Sequence, residues 1–184
     1  MIRNKSRIKG FVRVTVLDAS GEVKRFPKTW WQQLLHLPAR KMIVTNHNIV
    51  GNEGDALVAD VMSDTNARQL VDTTSGHIEV GTGFTAENKT TFSCVTPVGS
   101  PEIMDATYPK LKGVFAASDD NVVQYRSTYE AGDLNDTGID EAALLNSSVA
   151  AASDGLAYAQ ITPSVNVATS DTLQVDWELT FLGA

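Results

Sequence analysis

The residues able to do chemistry are few and far apart. The three histidines are His36, His47 and His77, and none has a second histidine or a cysteine at metal-ligand spacing. Each reads as a structural imidazole. Cys94 is the single cysteine, so it forms no internal disulfide and anchors no Cys-rich metal site. It stands in a strand-like run, residues 90–95, with no basic neighbour to stabilise a thiolate, which predicts a buried, inert thiol. Gly81, Thr82 and Gly83 open like a phosphate loop but lack the further glycine, the lysine and the following helix, so they read as a turn that needs glycine.

Two acidic clusters remain, Asp119 and Asp120 with Asn121, and Asp133 and Asp136 with Asn135. The second has the oxygen spacing of a calcium loop and Gly138 nearby, yet Leu144 stands where such a loop closes with glutamate. A turn is the better reading. Asp140 and Glu141 are adjacent, and on a strand they point to opposite faces, a poor geometry for a glycosidase pair. No Ser-His-Asp set can be drawn. The expectation is a protein that is not an enzyme, with no catalytic residue, no cofactor and no metal.

Charge is distributed unevenly. Residues 1–41 hold ten Lys/Arg against Asp18 and Glu22, a net +8, whereas residues 42–184 hold five against twenty Asp/Glu, a net −15. Such polarity suggests a basic arm that seeks an acidic surface, or equally a solvated arm with no partner. Nucleic acid is not expected as a partner, because the body repels phosphate and no basic-aromatic platform follows the arm. No run approaches the ~18 apolar residues of a membrane span, and the basic start has no apolar segment behind it, so neither a membrane segment nor a signal peptide is expected.

The elements that would position these residues are mostly strands. Residues 11–17 alternate, with Val12, Val14 and Val16 on one face. Residues 18–21 read as a turn, and 22–26 can return antiparallel. Thr29 can cap a short helix that carries Trp30 and Trp31 and stops by Pro38. Two adjacent indoles are a large apolar load for so short a segment. They call for burial in the core or on a neighbouring subunit. A second helix starts near Asn52, with Glu53 and Asp55 at its positive end. It pairs Leu57 with Val61 and Val58 with Met62 as a buried stripe, and ends near Ser63.

Beyond residue 75 the pattern predicts strands at 76–83, 90–95, 112–116, 122–129 and 156–162. The clearest is 172–181, where Leu173, Val175, Trp177, Leu179 and Phe181 face one way. Many short strands with Gly, Asn and Asp turns imply a mainly β protein, an antiparallel β-sandwich of jelly-roll type with one or two short helices and an N-terminal arm. The expected division is an arm over 1–41, containing a hairpin and short helix, and a sandwich over 42–184.

Several blocks in order resemble a group of small phage virion proteins of tail, baseplate or capsid-decoration type. They are IVTN at 43–46, GNEGDALVAD at 51–60, HIEVGTG at 77–83, TYEAG at 128–132, IDEAAL at 139–144, LAYA at 156–159 and the closing strand through Thr180 and Phe181. The chain departs from that group at residues 141–145, where glycine and phenylalanine are usual, and at Ala159, where a basic residue is commoner. The resemblance covers residues 40–183 and implies a β-sandwich virion component, made in the host cytoplasm and carried in the particle.

On this reading the protein is a non-enzymatic structural subunit. It docks on other virion proteins, such as major capsid or tail proteins, and on copies of itself, without direct contact to nucleic acid or membrane. Arg3, Lys5, Arg7, Lys9, Trp30 and Trp31 are the expected interface residues. The competing reading of the arm folds it back on its own sheet as an extra hairpin and helix. The alternative function is a receptor- or carbohydrate-binding tail-fibre module, with Tyr108, Tyr125, Tyr129 and Trp177 as stacking surface.

Overall fold

The computed structural model describes residues 7–63, 68–114, 120–149 and 155–182. It is mainly β and antiparallel. The elements in chain order are β1 (Arg7–Leu17), α1 (Trp30–Leu34), β2 (Ile43–Val50), α2 (Asn52–Ser63), β3 (His77–Gly81), β4 (Pro97–Ile103), β5 (Lys110–Leu111), β6 (Val122–Tyr129), β7 (Asp136–Leu145), β8 (Gly155–Val167) and β9 (Thr172–Leu182). The strands form one nine-stranded sheet in the order β4-β3-β7-β8-β2-β1-β9-β6-β5, curled into a half-barrel. The expected two-sheet sandwich corresponds here to one continuous sheet that wraps its own core.

Alternation builds the centre of that sheet. Val12, Val14 and Val16 of β1 and Leu173, Val175 and Trp177 of β9 are buried on the concave face. The two strands are paired over their whole length, with Val12 opposite Trp177 and Val14 opposite Val175. Gly10 is required here, because a Cβ on it would lie 2.6 Å from the Glu178 carbonyl oxygen and closer still to Asn48 Oδ1. The curl brings the β3–β4 edge toward β6. Tyr129 donates its hydroxyl to the Ile78 carbonyl at 2.7 Å, and Ser127 Oγ to the Glu102 carbonyl at 3.0 Å. Edge strand β4 carries Pro97 and Pro101, which cannot donate to a further strand.

β1 lies between β2 and β9, so residues 7–17 of the expected arm are a central strand of the sheet. The boundary expected at residue 41 falls between two neighbouring strands. What leaves the sheet is the segment between β1 and β2.

Two strand expectations change. Residues 90–95 form no strand; the pairing segment is β4, a few residues later. The amides of Cys94, Val95 and Thr96 go to side-chain carboxylates instead of a neighbouring backbone. Of the expected 112–116 strand, residues 115 and 116 lie outside the described residues, and pairing occurs at β5. The α2 stripe also differs. Val61 is 55 % and Met62 84 % exposed, because α2 packs through its first turn. Gly54 sits so close to β8 that a Cβ on it would lie 2.4 Å from the Leu156 carbonyl oxygen, and the later turns of the helix border an open groove with Leu70, Tyr125 and Phe181.

Candidate docking surface

The segment between β1 and β2 is a finger. A tight turn starts it. Asp18 Oδ1 accepts the amides of Ser20 at 2.9 Å and Glu22 at 3.2 Å, and Gly21 adopts φ 81°. The hydrogen bonds from Ser20 hold the Asp18 carboxyl below its ordinary value. The returning chain then forms a stem. Lys24 N donates to the Val16 carbonyl at 2.9 Å, Met42 N to the Lys24 carbonyl at 2.7 Å and Phe26 N to the Arg40 carbonyl at 2.9 Å. The Lys24 ammonium pairs with the buried carboxylate of Asp171 in the β8–β9 turn, which fastens the stem to the sheet. Arg40 lies over the Phe26 ring, 5.7 Å from its centroid.

The tip is α1. Thr29 caps it in a reciprocal box with Gln32, each side chain meeting the other residue's backbone amide. The helix buries no residue. Trp30 is 62 % exposed, Trp31 56 %, Leu34 60 % and Leu35 60 %. The two indoles stack with centroids 3.7 Å apart. From Val23 to Asn52 the chain has no acidic residue, and the finger carries Lys24, Arg25, Lys28, Arg40 and Lys41. The result is an ordered apolar tip on a cationic stem, with its hydrophobic side chains facing away from the chain's own core.

Of the expected interface residues, Trp30 and Trp31 stand together on this tip. Arg3 and Lys5 lie outside the described residues. Arg7 and Lys9 are at the opposite end of β1, where Lys9 pairs across from Thr180 and is exposed. The structure does not bring them to the finger. Sequence reasoning missed Leu34 and Leu35 as part of the tip. The signal was present, since a five-residue helix with three large apolar residues, and a fourth at its C-cap, has too little length to bury them all.

A second excursion behaves oppositely. Residues 82–96 cover the outer face of β3, β7 and β8. Glu141, fully buried on β7, accepts the amides of Val95 at 2.9 Å and Thr96 at 3.0 Å and the Tyr158 hydroxyl. Glu79 of β3, also buried, accepts the Cys94 amide at 2.7 Å. Asp140 Oδ1 takes the amides of Gly83 at 2.8 Å and Phe84 at 3.1 Å. The glycine turn thus presents its amides to a carboxylate of the same chain. Phe84 stacks on Tyr158, 5.8 Å between centroids. Burial pushes the Glu79 carboxyl up, and it pushes the Cys94 thiol well up, with the charges of Glu79 and Glu141 adding to it. Burial and the hydrogen bond to Glu141 raise the Tyr158 hydroxyl. The three carboxylates Glu79, Asp140 and Glu141 hold the loop down.

The other candidate residues are dispersed. His77 Nδ1 donates to the Ser75 carbonyl at 2.9 Å, at the start of β3. His36 follows α1 with φ 51°. His47 lines an open cleft of about 310 Å³ with Asn46, Phe84, Glu87 and Gln160. Asp119 lies outside the described residues, and Asp133 accepts the Glu130 amide at 2.7 Å within a turn. No group of three or more His, Cys, Asp or Glu that could hold a metal occurs among the described residues, and no helix there is long and apolar enough to cross a membrane. Tyr108, Tyr125, Tyr129 and Trp177 are all buried. Compared with family models, curated proteins and solved structures, the chain matches none.

Proposed function

We propose that this protein is a non-enzymatic structural subunit of a bacteriophage particle, a capsid-decoration or tail and baseplate component. It docks through the finger of residues 18–41, and the curled sheet serves as a sandwich-like body. The observation that carries the docking role is the tip itself: two stacked indoles and two leucines, each at least 56 % exposed, on a capped helix that buries nothing. Aromatic and arginine side chains dominate interface energetics, and an ordered apolar patch gives up little entropy on binding. The phage context rests on the ordered sequence blocks described above.

The test is location. Mass spectrometry of gradient-purified particles from a producing culture should find the chain at a fixed ratio to the major capsid or tail protein. Its absence from particles, with the soluble protein abundant in the same lysate, would overturn the virion reading. Particles assembled with the Trp30→Ser, Trp31→Ser double variant should lack the protein. If they retain it, the finger is not the docking element.

A further inference from the structure

The finger has a complement on the same chain. At the end of the sheet where β1 begins, α2 overhangs an apolar groove of about 290 Å³ lined by Leu57, Val58, Val61, Met62, Leu70 and Phe181. Val61, Met62 and Leu70 are 55 %, 84 % and 44 % exposed. Around it the charge is opposite to that of the finger. Among the described residues of 52–72, Glu53, Asp55, Asp60 and Asp72 stand against Arg68. Arg68 bridges Glu53 and Asp60 at 3.1 and 3.0 Å, and Lys89 pairs with Asp55, so the rim stays net acidic after these ion pairs. The finger offers apolar side chains on a stem that carries Arg25, Lys28, Arg40 and Lys41 beside the Lys24–Asp171 pair, with no acid after Glu22.

A copy does not fill its own groove. The finger leaves β1 at Leu17, whereas Phe181 pairs opposite Ile8 at the other end of that strand. At ~3.4 Å per residue the two ends are roughly 30 Å apart. Resting on the docking role proposed above, we infer that the finger of one copy seats in the α2 groove of the next, joining copies head to tail. The two indoles alone contribute on the order of 300 Å² of contact. A stable interface needs roughly 800 Å² per partner, so the leucines and the cationic stem against the acidic rim must supply the remainder. A contact between two different patches is heterologous and propagates, closing into a ring or extending as a filament.

Two variants make this testable, each at exposed positions so that the fold is kept. The finger variant is Trp30→Ser, Trp31→Ser, and the groove variant is Val61→Lys, Met62→Lys, which also places like charge before the finger. Mass is read by light scattering after far-UV circular dichroism and thermal midpoints confirm that both are folded. Wild type should be larger than one chain, and each variant alone should have the mass of one chain. Their mixture should give a 1:1 dimer and nothing larger, because one intact finger and one intact groove remain. If the groove variant assembles alone as wild type does, the contact joins finger to finger and the inference is wrong. If wild type has the mass of one chain at every concentration reached, self-docking is wrong, while retention on purified particles still decides the docking role separately. Tryptophan-dependent binding to vesicles with anionic lipid, together with a one-chain mass, would replace the second copy by a lipid surface and overturn the inference.

Discussion

The finger and the 82–96 loop are both long departures from the same sheet, and they are finished in opposite ways. The loop is pulled inward. Its amides are consumed by Glu79, Asp140 and Glu141, its Phe84 stacks on Tyr158, and Cys94 is sealed beneath it. The finger is held outward. Its stem is tied by backbone hydrogen bonds and by Lys24 to Asp171, yet its largest side chains face away from the chain. A segment with no task of its own lowers its free energy by burying its apolar atoms and satisfying its polar ones. Where polar groups are satisfied and a contiguous apolar patch is left in water, that patch is the feature on which the docking proposal rests.

The contrast should appear in stability measurements. The largest effect is expected for Glu141→Ala, which leaves the amides of Val95 and Thr96 and the Tyr158 hydroxyl without their acceptor. A cost of about 3 kcal/mol should follow, read as a lower midpoint in chemical denaturation. An unchanged midpoint would mean that the loop is not tied down by that carboxylate.

Glu79→Gln should act more weakly and with a pH signature. Burial raises the Glu79 carboxyl in the folded state above its unfolded value. The folded chain therefore binds this proton more tightly, so the contribution is full below the unfolded value near 4.5 and is lost as pH rises through the folded one. Glutamine keeps an acceptor for the Cys94 amide and removes the titration. Relative to wild type the variant should gain stability as pH is raised from about 4 to neutrality, and a constant difference across that range would refute the assignment. The smallest effect is expected in the finger. Measured at dilution where wild type is a single chain, Trp30→Ser with Trp31→Ser should shift unfolding by no more than about 0.5 kcal/mol, as for exposed positions generally. A loss of about 2 kcal/mol or more, the scale of a buried aromatic, would place the indoles in the chain's own core.

Legibility in the sequence follows the same division. β1 and β9 were readable because one face is core and the other is not, so Val12 to Val16 and Leu173 to Trp177 alternate. α1 was readable from Thr29 and its apolar follow-on, since a cap is a local event. β7 was not readable as a strand. Ala142, Ala143, Leu144 and Leu145 are buried on both faces, one under the 82–96 loop and one in the core, and a strand covered twice loses its period of two. Residues 90–95 carried β-branched signals but pair with carboxylates 15 and about 46 positions away, which no local pattern encodes. The groove was hidden for another reason. Helical spacing groups Val58 with Met62, but it does not say that the face they share borders an open groove and leaves the second of them exposed.

The position of β2 has a mechanical consequence. The finger enters it at Ile43 and α2 follows it after Val50, so one strand, flanked by β1 and β8, joins the two exposed apolar surfaces directly. Antiparallel hydrogen bonds run across the strand direction. A pull between finger and groove therefore runs along the covalent backbone of this strand, and the ladders on its flanks are not opened one after another as peeling an edge strand would. A chain of such subunits would carry tension along its stiffest line and give way at the joints before the sheets came apart.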